Sequence, residues 1–434
     1  MSENITKQKL EAVRGMRDFL PADWVFRDKL MTIWNKVAAD RGFSKYETPI
    51  VENLELFVRK AGEEISEQIY AFQDKSEREL ALRPEITPSM VRIFTSNREA
   101  FPSSGKIYSI GQCFRYERTT RGRKREHFQW NIDIIGEKSP AAEAWLIASA
   151  VNVMTELGFT ADDFKVRVNS REIITDYLSK IGVSEDLFND VFILMDKKEK
   201  VEKSYLMEEF AKVGLSTEQA ESLYAFMEIK GLEDLAAFAD TEKDGWKNLN
   251  DFMRYCQAMG IADFVAVDTA IIRGLAYYTG IVFEAFDINR ELRAIFGGGR
   301  YDNLFAKMAG QEMAAVGMGF GDVVIEELYA MKFGRPEKYP GVKAVVGFYD
   351  DTMAKKAMQA ADKLAKDGMT TDIAFNPLNF KKFFAYAAKR GAKYACYLAP
   401  DEFANGEMIV KNLETGEQIT LKLDDIGSDI SEKI

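Results

Sequence analysis

Two strand-like runs face each other across a loop crowded with arginine. After Lys106 the stretch IYSIGQCFRYER reads as a strand running into that loop, and HFQWNIDIIG from His127 reads as a second strand returning from it. A strand turns successive side chains to opposite faces. Gln129, Asn131 and Asp133 therefore share one face, while Trp130, Ile132 and Ile134 share the other. A polar face over an apolar one suits a sheet floor beneath a ligand. The loop itself, RYERTTRGRKR from Arg115 to Arg125, carries five arginines and one lysine against a single glutamate. The whole chain has a net charge of −11, which argues against general polyanion binding, so this local surplus marks the place where an anion would be met. The run alone is equally compatible with a solvated charged loop.

Around this hairpin the chain divides by pattern. Phe26, Leu30, Ile33, Trp34 and Val37 recur at helical spacing within residues 22–40, and Gly42 ends that helix. FSKYETPIVE then reads as a strand cut short by Pro49, which has no N–H for a sheet ladder. Residues 172–260, rich in Leu, Glu, Lys and Ala, read as a helical insertion. Strand signals resume at Phe264 and continue through IIRGLAYYTGIVFEAF toward Gly297, Gly298 and Gly299. That glycine cluster by itself is weak evidence for phosphate binding. A stretch with Gly334, Pro336, Pro340 and Gly341 reads as a linker over 330–341. Beyond it, strand and helix alternate and a hairpin near Glu414 to Gly416 closes the pattern, as in a separate α/β domain with a largely parallel sheet.

At 434 residues two or three domains are expected. Nowhere do about 18 apolar residues run together as a membrane span requires. The start, MSENITKQKLEAV, lacks the apolar stretch of a secretory signal, so a cytoplasmic location and no membrane partner are expected. Cys113, Cys256 and Cys396 are too scattered for a disulfide framework or a zinc site, and no metal site is expected in the protein itself.

Several ordered segments together resemble the class II histidyl-tRNA synthetases over nearly the full chain: RGMRDFLP at Arg14, KYETPIVE, LRPEITP at Leu82, FRYERTTRGRKREHFQWNIDIIG at Phe114, IIRGLAYYTG at Ile271, GGGRYD ending at Asp302, and VGMGFGDVVIEEL at Val316. The wording of TRGRKREHFQWN and RGLAYYTG is closest to the plastid-like branch. The resemblance implies an α+β catalytic domain built on an antiparallel sheet, formed by residues 1–171 and 261–329 around the insertion. It also implies an α/β anticodon-binding domain over 342–434. The implied activity is ATP-dependent formation of histidyl-adenylate and transfer of histidine to tRNA(His), with ATP and Mg2+, by a homodimer whose interface includes the first helix and KYETPIVE.

The same resemblance assigns residues. Arg115 and Arg273 would clamp the α-phosphate as histidine's carboxylate attacks it, a step that needs charge neutralised in the transition state. Asp133 and Tyr278 would match the donor and acceptor of a neutral imidazole. Glu85, Thr87 and Gln129 would hold the α-amino end, and Tyr301 would shape the pocket. Tyr277 is grouped with these, although its place beside Tyr278 fits core packing as well. Glu117, Arg123, Arg125 and His127 join Arg115 and Arg273 in binding ATP, and Arg118, Arg121 and Lys124 would meet the tRNA. Lys381, Lys382, Lys389 and Arg390 on the last domain suit phosphate contacts or a solvated helix face equally.

Three departures stand out. The loop reads RTTRGRKR rather than carrying Pro and Gln after its second arginine. His127, the sole histidine, occupies the usual phenylalanine platform for adenine. Asp322 stands where class II enzymes usually carry an arginine, and beside a triphosphate it would repel. The expectation is that Arg123 or Arg125, alternating toward one face, supplies the missing charge, while Asp322 caps the helix after it or pairs with a cation, capping being preferred. Two competing readings are a non-catalytic paralogue such as the regulatory subunit of ATP phosphoribosyltransferase, and a tRNA-binding module without chemistry.

Overall fold

Helix α1 (Pro21–Asp40) turns Phe26, Leu30, Ile33, Trp34 and Val37 inward, and it also buries Arg27. Gly42, at φ +77°, takes the left-handed conformation that lets the chain reverse after it. The computed structural model describes residues 11–58, 67–102, 105–198, 200–272, 278–335, 341–427 and 430–434. The chain divides into two units, Met1–Phe19 with Phe26–Arg335, and Leu20–Val25 with Pro336–Ile434.

FSKYETPIVE is not one strand. Its first part is β1 (Ser44–Lys45), which pairs in parallel with β5 (Lys106–Phe114). Its last part is β2 (Val51–Asn53), which joins a three-stranded antiparallel sheet with β3 (Tyr70–Gln73) and β4 (Glu79–Leu82) in the order β2-β4-β3. Pro49 lies between the two pieces and cannot donate to either ladder. Helix α2 (Thr87–Ser96) follows, with Pro88 in its first turn where a missing N–H costs nothing.

The large sheet has eight strands in the order β1-β5-β6-β11-β10-β9-β7-β8. The added members are β6 (Glu126–Ile135), β7 (Phe164–Ser170), β8 (Val265–Val267), β9 (Ile281–Asp287), β10 (Phe296–Arg300) and β11 (Ala315–Gly321). Every pair from β5 across to β7 is antiparallel. Its two faces are covered differently. On one, Trp130, Ile132 and Ile134 pack with Trp34 of α1 and with Leu146 and Val151 of α3 (Ala141–Glu156). Helices α4 to α8 (Arg171–Lys180, Phe188–Met195, Lys203–Lys212, Thr217–Met227, Asp244–Ala258) extend that same core through Leu178, Phe210, Leu223 and Phe252. On the other face Ile86, just before α2, and Met90 within it pack with Ile107, Tyr278 and Tyr301.

Helix α9 (Asp322–Phe333) runs into the stretch read as a linker from residue 330. Packing explains the extension: the Phe333 ring meets Phe159 at 5.6 Å and Tyr329 at 4.7 Å.

The second unit has a five-stranded sheet in the order β13-β12-β14-β15-β16. β12 (Ala344–Phe348) pairs in parallel with β13 (Thr371–Ile373) and β14 (Tyr394–Leu398), while β15 (Glu407–Asn412) and β16 (Gln418–Lys422) form the closing hairpin. Helices α10 (Ala354–Lys366) and α11 (Phe380–Lys389) supply the crossovers. They cover opposite faces, with Ala357 and Leu364 in one core and Phe383 and Ala387 in another.

Candidate active site

The odd-numbered residues of β6 place His127, Gln129, Asn131 and Asp133 in line on one face of the sheet. Hydrogen bonds tie the line together. Gln129 Nε2 donates to Asn131 Oδ1 at 2.9 Å, Asn131 Nδ2 donates to Asp133 Oδ2 at 2.6 Å, and the Tyr301 hydroxyl donates to Asp133 Oδ1. Room for this line comes from glycine on the next strand. A Cβ on Gly317 would fall 2.0 Å from Asp133 Oδ1, and one on Gly319 2.8 Å from the Gln129 amide. Gly299 of β10 likewise admits Tyr278, whose ring a Cβ there would meet at 2.9 Å. The glycine-rich segments serve side-chain clearance at this floor.

The wall beside the line comes from LRPEITP. Arg83, 1% exposed, donates through Nε to Gln112 O at 2.8 Å and through Nη1 to Thr48 O at 2.8 Å. It passes so close to β5 that a Cβ on Gly111 would lie 2.3 Å from its Nη2. Glu85 is buried and, among the described residues, has no hydrogen bond or ion pair. Thr87 is buried beside it at the start of α2. Arg115 donates from Nε to Pro84 O at 2.9 Å, and among the described residues nothing pairs with its terminal nitrogens. It does not pair with Glu117. Arg273 and Tyr277 lie outside the described residues.

The basic loop is partly tied down. Glu117, buried, pairs with Arg123. Arg125 lies 3.9 Å over the Tyr116 ring and donates to Glu117 O at 3.2 Å and Arg14 O at 3.3 Å. The two arginines therefore take different partners instead of turning one free face outward. Gly15, at φ +88°, lets the N-terminal segment pass beneath the loop, since a Cβ there would sit 2.7 Å from Thr119 and 2.8 Å from Arg125. Arg121 is exposed and reaches Glu327 at 3.5 Å. Arg118 is exposed and Lys124 half-buried, and among the described residues neither has a side-chain partner.

His127 is half-buried on β6. Burial first, then Arg115 and Arg17, push its imidazole down to about 3, although a hydrogen bond with Gln129 pulls upward. The ring is therefore neutral at pH values where an ordinary imidazole, titrating near 6.5, would take up charge.

Asp322 does not cap α9. It is the helix's first residue, the N-cap is Gly321, and no side chain caps the end. Its carboxylate instead accepts from Arg17 Nη2 at 3.0 Å, Arg27 Nη1 at 3.1 Å and the Phe128 amide at 2.9 Å. Arg17 also binds Glu126 at 2.7 Å, and Arg27 is sandwiched by the Phe19 and Phe128 rings at 3.8 and 4.1 Å. Burial pushes the Asp322 carboxyl upward against the pull of both arginines. The cluster belongs to the side of β6 that carries Phe128 and faces α1. Of the two roles expected of Asp322, pairing with a cation is therefore the one the fold shows.

Arg17, Arg27, Arg83 and Tyr46 were not singled out from the sequence. For Arg27 a signal existed, because it falls at helical spacing with Leu30, Trp34 and Ala38 on the buried stripe of α1. The others carry no periodic mark.

A family profile described as histidyl-tRNA synthetase matches residues 15–321, and one described as an anticodon binding domain matches residues 342–433. The chain is 39% identical to the chloroplastic/mitochondrial histidine–tRNA ligase of Arabidopsis thaliana, over 95% of this chain and 85% of that protein. It is 36% identical to the histidine–tRNA ligase of Opitutus terrae, over 93% and 94%. The fold superposes on the crystal structure of histidyl-tRNA synthetase from Nostoc sp. PCC 7120 with a TM-score of 0.82 at 24% identity, covering 98% of this chain and 99% of that one.

Proposed function

The chain belongs to the histidyl-tRNA synthetase family, and from that premise we propose how its residues carry out histidine–tRNA ligation. The enzyme activates L-histidine with ATP and passes the histidyl group to the 3′ end of tRNA(His). The observation that carries the site assignment is the bonded line on β6, walled by an unpaired carboxylate at Glu85 and an open guanidinium at Arg115.

Histidine lies at the Asp133 end. Asp133 and Tyr278 take the two imidazole nitrogens, with Tyr301 and Tyr277 closing the pocket and Glu85, Thr87 and Gln129 receiving the α-ammonium group. A site built from paired hydrogen-bonding groups rejects rings that leave them unpaired. ATP lies toward the loop, its adenine on the neutral His127 ring, with Glu117, Arg123 and Arg125 shaping that end. An oxygen of the histidine carboxylate attacks the α-phosphorus, and pyrophosphate leaves. Arg115, its fork aimed by the bond to Pro84 O, and Arg273 offset the charge that builds on the α-phosphate. The terminal ribose hydroxyl of tRNA then attacks the adenylate's carbonyl carbon and AMP leaves, with Arg118, Arg121 and Lys124 meeting the acceptor end.

Magnesium fits as a companion of the phosphates. Glu117, Glu126 and Asp322 are each engaged by an arginine, and among the described residues no group of three or more His, Cys, Asp or Glu side chains is placed to hold a metal. The ion would supply charge neutralisation to ATP and keep most of its other ligands from phosphate and water.

We also propose a homodimer whose interface includes α1 and KYETPIVE, where the apolar residues Ile50 and Val51 are exposed. We assign catalysis to residues 1–171 and 261–329, the insertion to 172–260 and anticodon binding to 342–434. A cytoplasmic location is part of the same proposal; no described helix is long and apolar enough to cross a membrane.

Histidine-dependent exchange of labelled pyrophosphate into ATP tests the reading. Arg115→Ala is expected to slow exchange about a hundredfold or more. Wild-type protein with no exchange overturns it in favour of the regulatory paralogue.

A further inference from the structure

Tyr46 follows β1, and its amide donates to Tyr108 O at 2.9 Å. Its ring is buried in the cluster that holds Ile107, Tyr278 and Tyr301, on the side of the sheet where Asp133 projects. The hydroxyl lies beside the Asn131 amide and the Asp133 carboxylate, with Arg83 and Glu47 the other charged groups close to it. Among the described residues no hydrogen bond of ordinary geometry reaches that hydroxyl, although Asn131 is near enough to act on it as a weak partner, and none reaches the buried hydroxyl of Ser109, the cross-strand partner of Asn131. A native core rarely leaves buried hydroxyls unpaired, because the desolvation they suffer is then uncompensated. Burial and the neighbouring Asp133 carboxylate keep the phenol protonated, its titration moved well upward.

Asn131 is the link. Its Oδ1 accepts from Gln129, and one Nδ2 hydrogen goes to Asp133. The second Nδ2 hydrogen and the other lone pair of Oδ1 remain for the groups on either side, which are Tyr46 and Ser109. We propose that Tyr46 is a positioning residue for histidine selection: its hydroxyl, closing on Asn131 when the amino acid binds, fixes the amide that orients Asp133 toward the imidazole. The inference rests on the histidine pocket assigned above and adds a residue from the opposite edge of the sheet.

Tyr46→Phe keeps the ring and removes only the oxygen. In the pyrophosphate exchange assay its KM for histidine is expected to rise about five- to thirtyfold, while KM for ATP and kcat stay within about twofold. Its melting temperature is expected to hold or rise, since an unpaired buried hydroxyl is lost. In an Asn131→Ala background the same substitution should change KM for histidine no further. An unchanged KM for histidine in Tyr46→Phe overturns the proposal. So does a parallel rise in both KM values with a lowered melting temperature, which marks a purely structural role. Wild-type protein that fails to exchange overturns the ligase reading and this inference with it, an outcome distinct from failure of the variant alone.

Discussion

His127 is the chain's sole histidine, so its titration can be followed without assignment. With the folded imidazole pushed down to about 3, its ring resonances are expected to stay fixed between pH 8 and 5 in the native protein. A titration midpoint near 6.5 would contradict the buried environment. The sign for stability follows from proton uptake. The unfolded chain takes up this proton near pH 6.5 and the folded chain only near 3. This residue's contribution to stability is therefore fully present above about pH 6.5 and declines as pH falls from there toward 3. His127→Phe should remove that part of the acid dependence and leave KM for ATP equal or lower, because the larger ring offers more stacking area. A hundredfold loss in ATP use would show imidazole chemistry at the site.

Among the elements, β11 and α9 make opposite demands. β11 must be thin where it passes Asp133, so Gly317→Ala, whose Cβ would lie 2.0 Å from the carboxylate, is expected to raise KM for histidine at least tenfold. A variant with normal histidine kinetics would show that the strand can step aside. At the start of α9, Asp322 joins the N-terminal segment, α1 and β6 through Arg17, Arg27 and the Phe128 amide. Asp322→Ala leaves Arg27 buried beside a lost partner, at an expected cost of about 3–5 kcal/mol in denaturant unfolding. Adding Arg27→Met should recover much of that loss, since removing both charges also removes their desolvation. A stability-neutral Asp322→Ala would show that the cluster contributes no net stability.

Across the whole molecule, core continuity separates parts that can stand alone from parts that cannot. Helices α4 to α8 share one hydrophobic cluster with α1, α3 and the large sheet, so deleting residues 172–260 is expected to abolish the cooperative thermal transition of the remainder. Residues 341–434 carry their own clusters on both faces of the five-stranded sheet and are expected to unfold cooperatively when expressed alone. Calorimetry on the two fragments checks both. Sedimentation checks the proposed dimer, for which a stable monomer at micromolar concentration is the contrary result.

What the sequence by itself determined follows from local periodicity. The helical stripe of α1, the period of two on β5 and β6 and the alternation of the last domain all stand in the structure where the residues put them, because burial of an apolar face selects a repeat that short-range order preserves. The line Gln129, Asn131, Asp133 was legible for the same reason. Tertiary structure alone decided the rest. Which face of β6 Asp322 meets depends on where α1, whose Arg27 is 295 residues earlier in the chain, comes to lie, and no local pattern carries that information. The split of KYETPIVE between two sheets was settled by which partners stood within hydrogen-bonding reach. The glycines of β10 and β11 showed their role only once Asp133, Gln129 and Tyr278 were set against them, since close approach is a property of pairs of residues far apart in sequence.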